Sequence, residues 1–124
     1  MKKEYKNELG EYHRTDGPAV ENKYGKEWWI NGKRHRTDGP AIEWSDGDKW
    51  WYINGLKHRE DGPAVECING DKYWYINGLR HREDGPAIEY SDGCKDWYLN
   101  DINYTEDQYN QEIIKLKLKR LVEL

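Results

Sequence analysis

Apolar residues come along this chain in short bursts, among them Ala19-Val20, Trp28-Trp29-Ile30, Ala41-Ile42 and Trp50-Trp51-Tyr52-Ile53. The bursts are too short for helices and rich in Trp, Tyr, Ile and Val, which favour strands. Asn31-Gly32, Asn54-Gly55 and Asn77-Gly78 close the aromatic bursts. Asn-Gly is the strongest short hairpin signal, because a type I′ turn needs positive φ at both central residues. Asn100-Asp101 keeps the position without the glycine, and a second set of turns falls at Tyr24-Gly25, Asp46-Gly47, Asn69-Gly70 and Asp92-Gly93. The pattern predicts a mainly β fold: an elongated, curled, single-layer antiparallel meander of about four 23-residue hairpin repeats, closed by a C-terminal α-helix.

The repeat is explicit. His13, His35, His58 and His81 follow one another at intervals of 22, 23 and 23 residues, and each opens the motif H-R-[TE]-D-G-P-A-[VI]-E. Residues 1–12 read as a degenerate half-repeat, 13–103 as four hairpin repeats and 104–124 as a capping helix, all within one domain.

Register follows if both turns are two-residue loops. Asn54-Gly55 then sets Tyr52 opposite Lys57 and Trp51 opposite His58, and Asp46-Gly47 sets Glu43 opposite Trp50 and Ile42 opposite Trp51. Paired residues share a face, as do alternate residues of one strand. The expected apolar face holds Ile42, Trp44, Trp51, Ile53, Leu56 and His58. The expected polar face holds Glu43, Trp50, Tyr52, Lys57 and Arg59, with arginines stacked over aromatic rings.

The tail has another pattern. Thr105-Glu106-Asp107-Gln108 is a capping box, and Ile114, Leu118, Leu121 and Val122 share one face of the helix it starts. Such a helix spans roughly 27 Å, against about 40 Å for a sheet of this strand number. Curling, a homodimer or a protein partner is expected to cover the apolar surface left over.

Composition narrows the classes. With 35% hydrophobic and 35% charged residues among 124, the core is modest, but 7 Trp and 10 Tyr argue for a folded chain. A net charge of -4 speaks against nucleic-acid binding. No apolar run suits a bilayer span, and the start MKKEYKNELG lacks the apolar core of a signal peptide. Two cysteines at non-equivalent positions suit no disulfide framework, so the expected compartment is a reducing cytoplasm, the host's if a phage encodes the chain.

The run HREDGPA resembles an active-site signature, yet it recurs along a regular sheet. Equivalent histidines two strand spacings apart lie about 9.6 Å from one another, too far to share an ion at ~2.0–2.3 Å. No copy has a nucleophile of its own, whereas an active site is one constellation in one pocket. Asp-Gly-Pro is turn chemistry, and proline marks a break or bulge in the ladder. The motif is therefore expected to be a structural joint, with no catalytic residue, no metal and no cofactor.

The run NGLRHREDGPAIEYSDG, Asn77 to Gly93, resembles a MORN repeat, and the resemblance extends over residues 5–103. It departs from that family where Arg-x-Asp-Gly-Pro-Ala replaces a shorter glycine-rich segment. Units of this variant resemble those of small bacterial, phage and large-virus proteins. The resemblance implies a sheet used for protein contacts and self-assembly, with membrane-surface attachment as a further role. The leading expectation is a non-catalytic protein-interaction module, such as a small phage or bacterial accessory protein that docks on and inhibits a larger host protein, a defence component for example.

The expected binding residues are Trp29, Arg36, Trp50, Tyr52, Arg59, Tyr73, Tyr75 and Arg82, exposed aromatics flanked by arginine. Trp50 and Tyr73 stand out because the equivalent positions in the outer repeats carry Glu27 and Asp96. A small-ligand or nucleotide site on Trp50, Tyr52 and Tyr75 is the alternative. Membrane attachment through Lys115, Lys117, Lys119 and Arg120 is weaker, because the basic segment is short.

Overall fold

The structure is a computed structural model that describes residues 1–124. In chain order its strands begin with β1 (Lys3–Glu4), β2 (Val20–Asn22), β3 (Gly25–Glu27), β4 (Trp29–Ile30) and β5 (Lys33–Arg34). The middle repeats add β6 (Ile42–Trp44), β7 (Lys49–Trp50), β8 (Tyr52–Ile53), β9 (Leu56–Lys57), β10 (Val65–Glu66) and β11 (Lys72–Tyr73). The last are β12 (Tyr75–Ile76), β13 (Leu79–Arg80), β14 (Ile88–Glu89), β15 (Lys95–Leu99) and β16 (Ile102–Tyr104), ahead of helix α1 (Glu106–Val122).

Ten strands join in one antiparallel meander, β1-β2-β3-β6-β7-β10-β11-β14-β15-β16, and the pairs β4-β5, β8-β9 and β12-β13 form separate two-stranded ladders. The fold is mainly β, as the pattern predicts. What divides the ladders is one residue per repeat. Trp51 links β7 to β8; its N–H donates to the Ala64 carbonyl at 2.7 Å, and its own carbonyl accepts the His58 N–H at 3.2 Å. Residues 58–63 thus loop out of the sheet opposite a single tryptophan. Trp28 has the same relation to His35 and Ala41, and Trp74 to His81 and Ala87. The proline of each motif sits in this bulge, where its missing N–H costs no ladder bond.

The Asn-Gly turns have the expected register, Tyr52 opposite Lys57 and Ile53 opposite Leu56. Both central residues are left-handed, with φ of 50° at Asn54 and 82° at Gly55. Asp101 adopts φ 69° without being glycine, and its carboxylate accepts the Arg80 Nε–H at 2.6 Å.

The other turns correct the sequence reading. Trp44 donates to the Asp48 carbonyl and Gly47 to the Trp44 carbonyl, both at 3.0 Å, so the loop is the three residues Ser45 to Gly47. Gly47 has φ 107°, the left-handed position that follows a type I turn in a three-residue hairpin. One extra loop residue moves the pairing by one, to Ile42 opposite Trp50 and Glu43 opposite Lys49. A one-residue slip exchanges faces. Ile42 and Trp44 therefore lie with Trp50 and Tyr52, while Glu43 lies with Trp51, His58 and Arg59.

Only 11 residues are buried, so the core consists of small, repeated contacts. The motif alanines Ala19, Ala41, Ala64 and Ala87 are each 0% exposed, which explains why no larger residue follows the proline. Ala41, Ile42 and Tyr52 form the central cluster, with Trp28, Trp44 and Trp50 packed around it.

The capping box closes as expected: Gln108 N–H donates to Thr105 Oγ1 and Thr105 N–H to Gln108 Oε1. The apolar stripe does not behave as expected. Ile114, Leu118, Leu121 and Val122 are exposed, and the buried residue of α1 is Tyr109. Ile113 and Leu116, four and seven residues after it, are partly buried on the same side. An aromatic with a polar tip, able to satisfy backbone groups beneath the helix, displaced the purely aliphatic stripe from the contact.

Arg120 tethers the far end of α1, its two guanidinium nitrogens donating to Glu83 at 2.6 and 3.0 Å. Arg120 holds the Glu83 carboxyl far below its ordinary range, at about 2. A carboxylate with a lowered folded-state pKa stabilises fully above its unfolded value and loses that contribution as pH falls. Wild-type stability is expected to drop between roughly pH 4.5 and 2. The Glu83→Gln variant lacks this component, and the two urea midpoints should converge near the acid end. Parallel curves across that window would show that the pair does not hold the helix.

Candidate binding recesses

Each H-R-x-D-G-P-A loop folds its arginine back over the tryptophan it bulges around. The Arg59 guanidinium lies 3.8 Å from the Trp51 ring centre, Arg82 3.8 Å from Trp74 and Arg36 3.7 Å from Trp28. In the first copy Arg14 lies 4.1 Å over Tyr5. Arg59 Nε donates to Asp61 Oδ1 at 3.0 Å, and Nη1 donates at 3.0 Å both to the Pro63 carbonyl and to Glu66. Arg36 and Arg82 repeat all three contacts. The guanidinium runs so close over the loop that a Cβ at Gly62 would meet Arg59 Cζ at 3.1 Å. Glycine is required there by close approach. In these three copies the arginine is thus bonded to both the aspartate and the closing glutamate of the motif, and the variable third residue is left out.

The histidine, which follows one Asn-Gly hairpin, ties it to the next. His35 Nδ1 accepts the Asn54 N–H at 3.0 Å, His58 that of Asn77 at 2.9 Å, and His13 and His81 do the same for Asn31 and Asn100. An accepting Nδ1 carries no hydrogen, so the ring's N–H is on Nε2. In His81 that group meets Glu83 Oε2 at 2.8 Å. The His58→Leu variant leaves the turn N–H of Asn77 without its acceptor and is expected to cost about 1–2 kcal/mol, measured by urea unfolding. An unchanged midpoint would mean that solvent replaces the imidazole at no cost.

Between successive loops the surface forms equivalent recesses. One has Arg36 to Gly39 on one wall and His58 to Asp61 on the other, over Trp51 and Ile53, with a volume of about 750 Å³. The next lies between Arg59 to Gly62 and His81 to Asp84, over Trp74 and Ile76, at about 810 Å³. The first, between Arg14 to Gly17 and His35 to Asp38, has about 580 Å³. His58 and Arg59 therefore share one side of the sheet, contrary to the expected sorting. The imidazoles do not converge, and no group of three or more His, Cys, Asp or Glu side chains is arranged to hold a metal ion.

The expected binding residues divide between the two faces. Arg36, Arg59 and Arg82 line the recesses but are held down as described. Trp29, Tyr52 and Tyr75 do form a row, interleaved with the hairpin cations rather than the motif arginines. Arg34 lies 4.9 Å from Trp29 and 5.6 Å from Tyr52, and Lys57 lies 5.1 Å from Tyr75. Tyr52 is buried, and burial pushes its hydroxyl pKa upward. Trp50 meets Trp44 edge-on at 5.4 Å and Tyr73 meets Tyr90 at 6.4 Å, so these two departures from the repeat are matched partners inside the ladder. A stacked base or sugar has no free ring face at Tyr52.

The sequence reading overlooked backbone groups. The carbonyls of Arg14, Arg36 and Arg59 and the N–H groups of Gly17, Gly39 and Gly62 border the recesses without a hydrogen-bond partner in the chain. No side-chain pattern announces them, because any residue carries such groups and only the bulge turns them outward. The repetition of Arg and Gly at fixed offsets was the one available clue.

No helix is long and apolar enough to cross a membrane. No protein-family model, curated protein or solved structure matches the chain.

Proposed function

We propose that the chain is a non-catalytic protein-interaction module that binds through the face carrying the recesses. The observation that carries this reading is the division of labour within each loop. Its arginine and aspartate close the loop itself, its histidine holds the next hairpin, and in the first three loops the outward backbone donor and acceptor remain unpaired. An arginine committed to three structural bonds and an imidazole whose Nδ1 already accepts a backbone N–H are less free for acid–base chemistry. Unpaired backbone groups beside an aromatic floor suit a polypeptide partner, whose hydrogen bonds replace those made with water. The likeness of the repeat to MORN units points the same way. A larger protein whose active surface is covered on docking fits a small accessory chain of this kind.

Affinity capture with three forms of the chain tests the proposal. Thr37 and Glu60 lie exposed on the recess rims, and Lys49 and Lys72 lie exposed on the sheet strands. A protein retained by the wild type and by Lys49→Glu/Lys72→Glu should be lost with Thr37→Arg/Glu60→Lys. Equal retention by all three forms would remove the recess face from consideration.

A further inference from the structure

The chain itself fills one of its four equivalent loop positions. At the last loop the Tyr109 hydroxyl donates to the Arg82 carbonyl at 2.6 Å and accepts the Gly85 N–H at 3.3 Å. A phenol is both donor and acceptor, so one oxygen satisfies both outward groups. From the same helix Arg120 grips Glu83, the variable third residue of the motif's H-R-x. Thr105 to Gln108 occupies the stretch where a fifth Arg-Glu-Asp-Gly would stand, 23 residues after Arg82 to Gly85. The helix begins there in place of another loop.

The third loop repeats this whole set without an occupant from the chain. Arg59 carbonyl and Gly62 N–H correspond to Arg82 carbonyl and Gly85 N–H, and both lack a partner. Glu60 corresponds to Glu83, and its side chain is 84% exposed. The one ionisable side chain paired with it is the His58 imidazole, at 3.7 Å. The first and second loops carry Thr15 and Thr37 instead and offer no charge. We infer that the third recess docks a helix of a partner protein that presents a tyrosine to Arg59 and Gly62 and a cationic side chain to Glu60. This rests on the interaction-module reading above and names the chemistry of its partner.

The surroundings suit such a helix. Lys117 of α1 lines the same recess, so an incoming helix would lie alongside α1. Loops recur at two strand spacings, about 9.6 Å, and packed helices lie 8–10 Å apart. Leu121 and Ile114 follow Lys117 around α1 by about 40° and 60°. Both are exposed, at 65% and 58%. They put an apolar flank on the side of α1 nearest the recess, where a second helix would cover them.

The tail sequence is the natural probe. A fluorescent peptide of residues 104–124, titrated with the intact chain, should show saturable anisotropy. The peptide with Tyr109→Phe should bind about tenfold more weakly, since phenylalanine can make neither hydrogen bond. The intact chain with Glu60→Lys should lose a similar factor while keeping its wild-type unfolding midpoint. No saturation up to about 1 mM would overturn the inference. So would binding indifferent to Glu60→Lys, which signals exchange with the resident helix. Self-association of the wild type that Glu60→Lys abolishes would assign the recess to a second copy and equally overturn it. A captured protein lost with Thr37→Arg alone but kept with Glu60→Lys alone would sink this inference and leave the interaction module standing.

Discussion

Ile42→Ala is expected to destabilise the chain by about 3 kcal/mol, because it removes the largest side chain that is fully buried. In a chain of this size that corresponds to a fall in Tm of roughly 10–15 °C. Ile42 is 0% exposed and packs with Ala41 and Tyr52 beneath Trp28, Trp44 and Trp50. Four rings surround the site, and rigid rings close poorly over a void, so the cost lies well inside the range for such truncations rather than at its lower end. Val20 occupies the equivalent place in the first repeat, is smaller and is 6% exposed. Val20→Ala is expected to cost about half as much. Urea unfolding of the two variants measures the difference. A loss below about 1 kcal/mol at Ile42 would mean that the central cluster does not hold the repeats together.

Arg59 should be the most sensitive charged position. Arg59→Ala removes a guanidinium stacked on Trp51 and bonded to Asp61, Pro63 and Glu66. The Asp61 side chain is 88% exposed, so that pair contributes little. The bonds to the Pro63 carbonyl and Glu66 and the stack on Trp51 carry most of the effect, about 2–3 kcal/mol together. Arg59→Lys should recover less than half of it. A lysine places one compact charge, whereas the fork of arginine reaches three acceptors while lying flat on a ring. Full recovery by lysine would show that charge alone matters and that the loop does not depend on the planar fork. Asp61→Asn should be nearly silent, which separates the exposed pair from the rest.

Both effects bear on how the motif is to be read. A catalytic arginine would be free to meet a substrate, and replacing it would alter activity more than stability. Here the guanidinium closes its own loop, and the adjacent glycine leaves room for it to do so. The histidine likewise accepts the turn N–H of the next hairpin. In the first three loops the groups left out of these bonds lie on the rim: the third residue of H-R-x, which is Thr, Thr and Glu in turn, and the backbone groups beside it.

Some of this was legible in the residues and some was not. The hairpin positions, the four repeats, the bulge at proline and the capped helix follow from local rules. Asn-Gly demands left-handed backbone at two adjacent residues, and Thr105 with Gln108 closes a cap within one turn. Tyr52 opposite Lys57 came out correctly for that reason. Tyr52 itself is expected on the polar face and is instead buried, because the neighbouring turn has a loop of three residues and not two. Asp46-Gly47 is compatible with either length, since its glycine supplies a positive φ to both.

The sequence by itself determined the alternation of strand and turn and the register across each Asn-Gly hairpin, because those depend on the conformational freedom of two or three neighbouring residues. The tertiary structure alone decided the loop length at Ser45 to Gly47, and with it which face each side chain occupies. That choice rests on whether Ile42 packs with Tyr52 or with Trp51, a contact between separate strands. The same holds for α1: its aliphatic stripe is plain in the residues, yet the helix docks through Tyr109. Only the folded loop offered that hydroxyl a carbonyl and an N–H together.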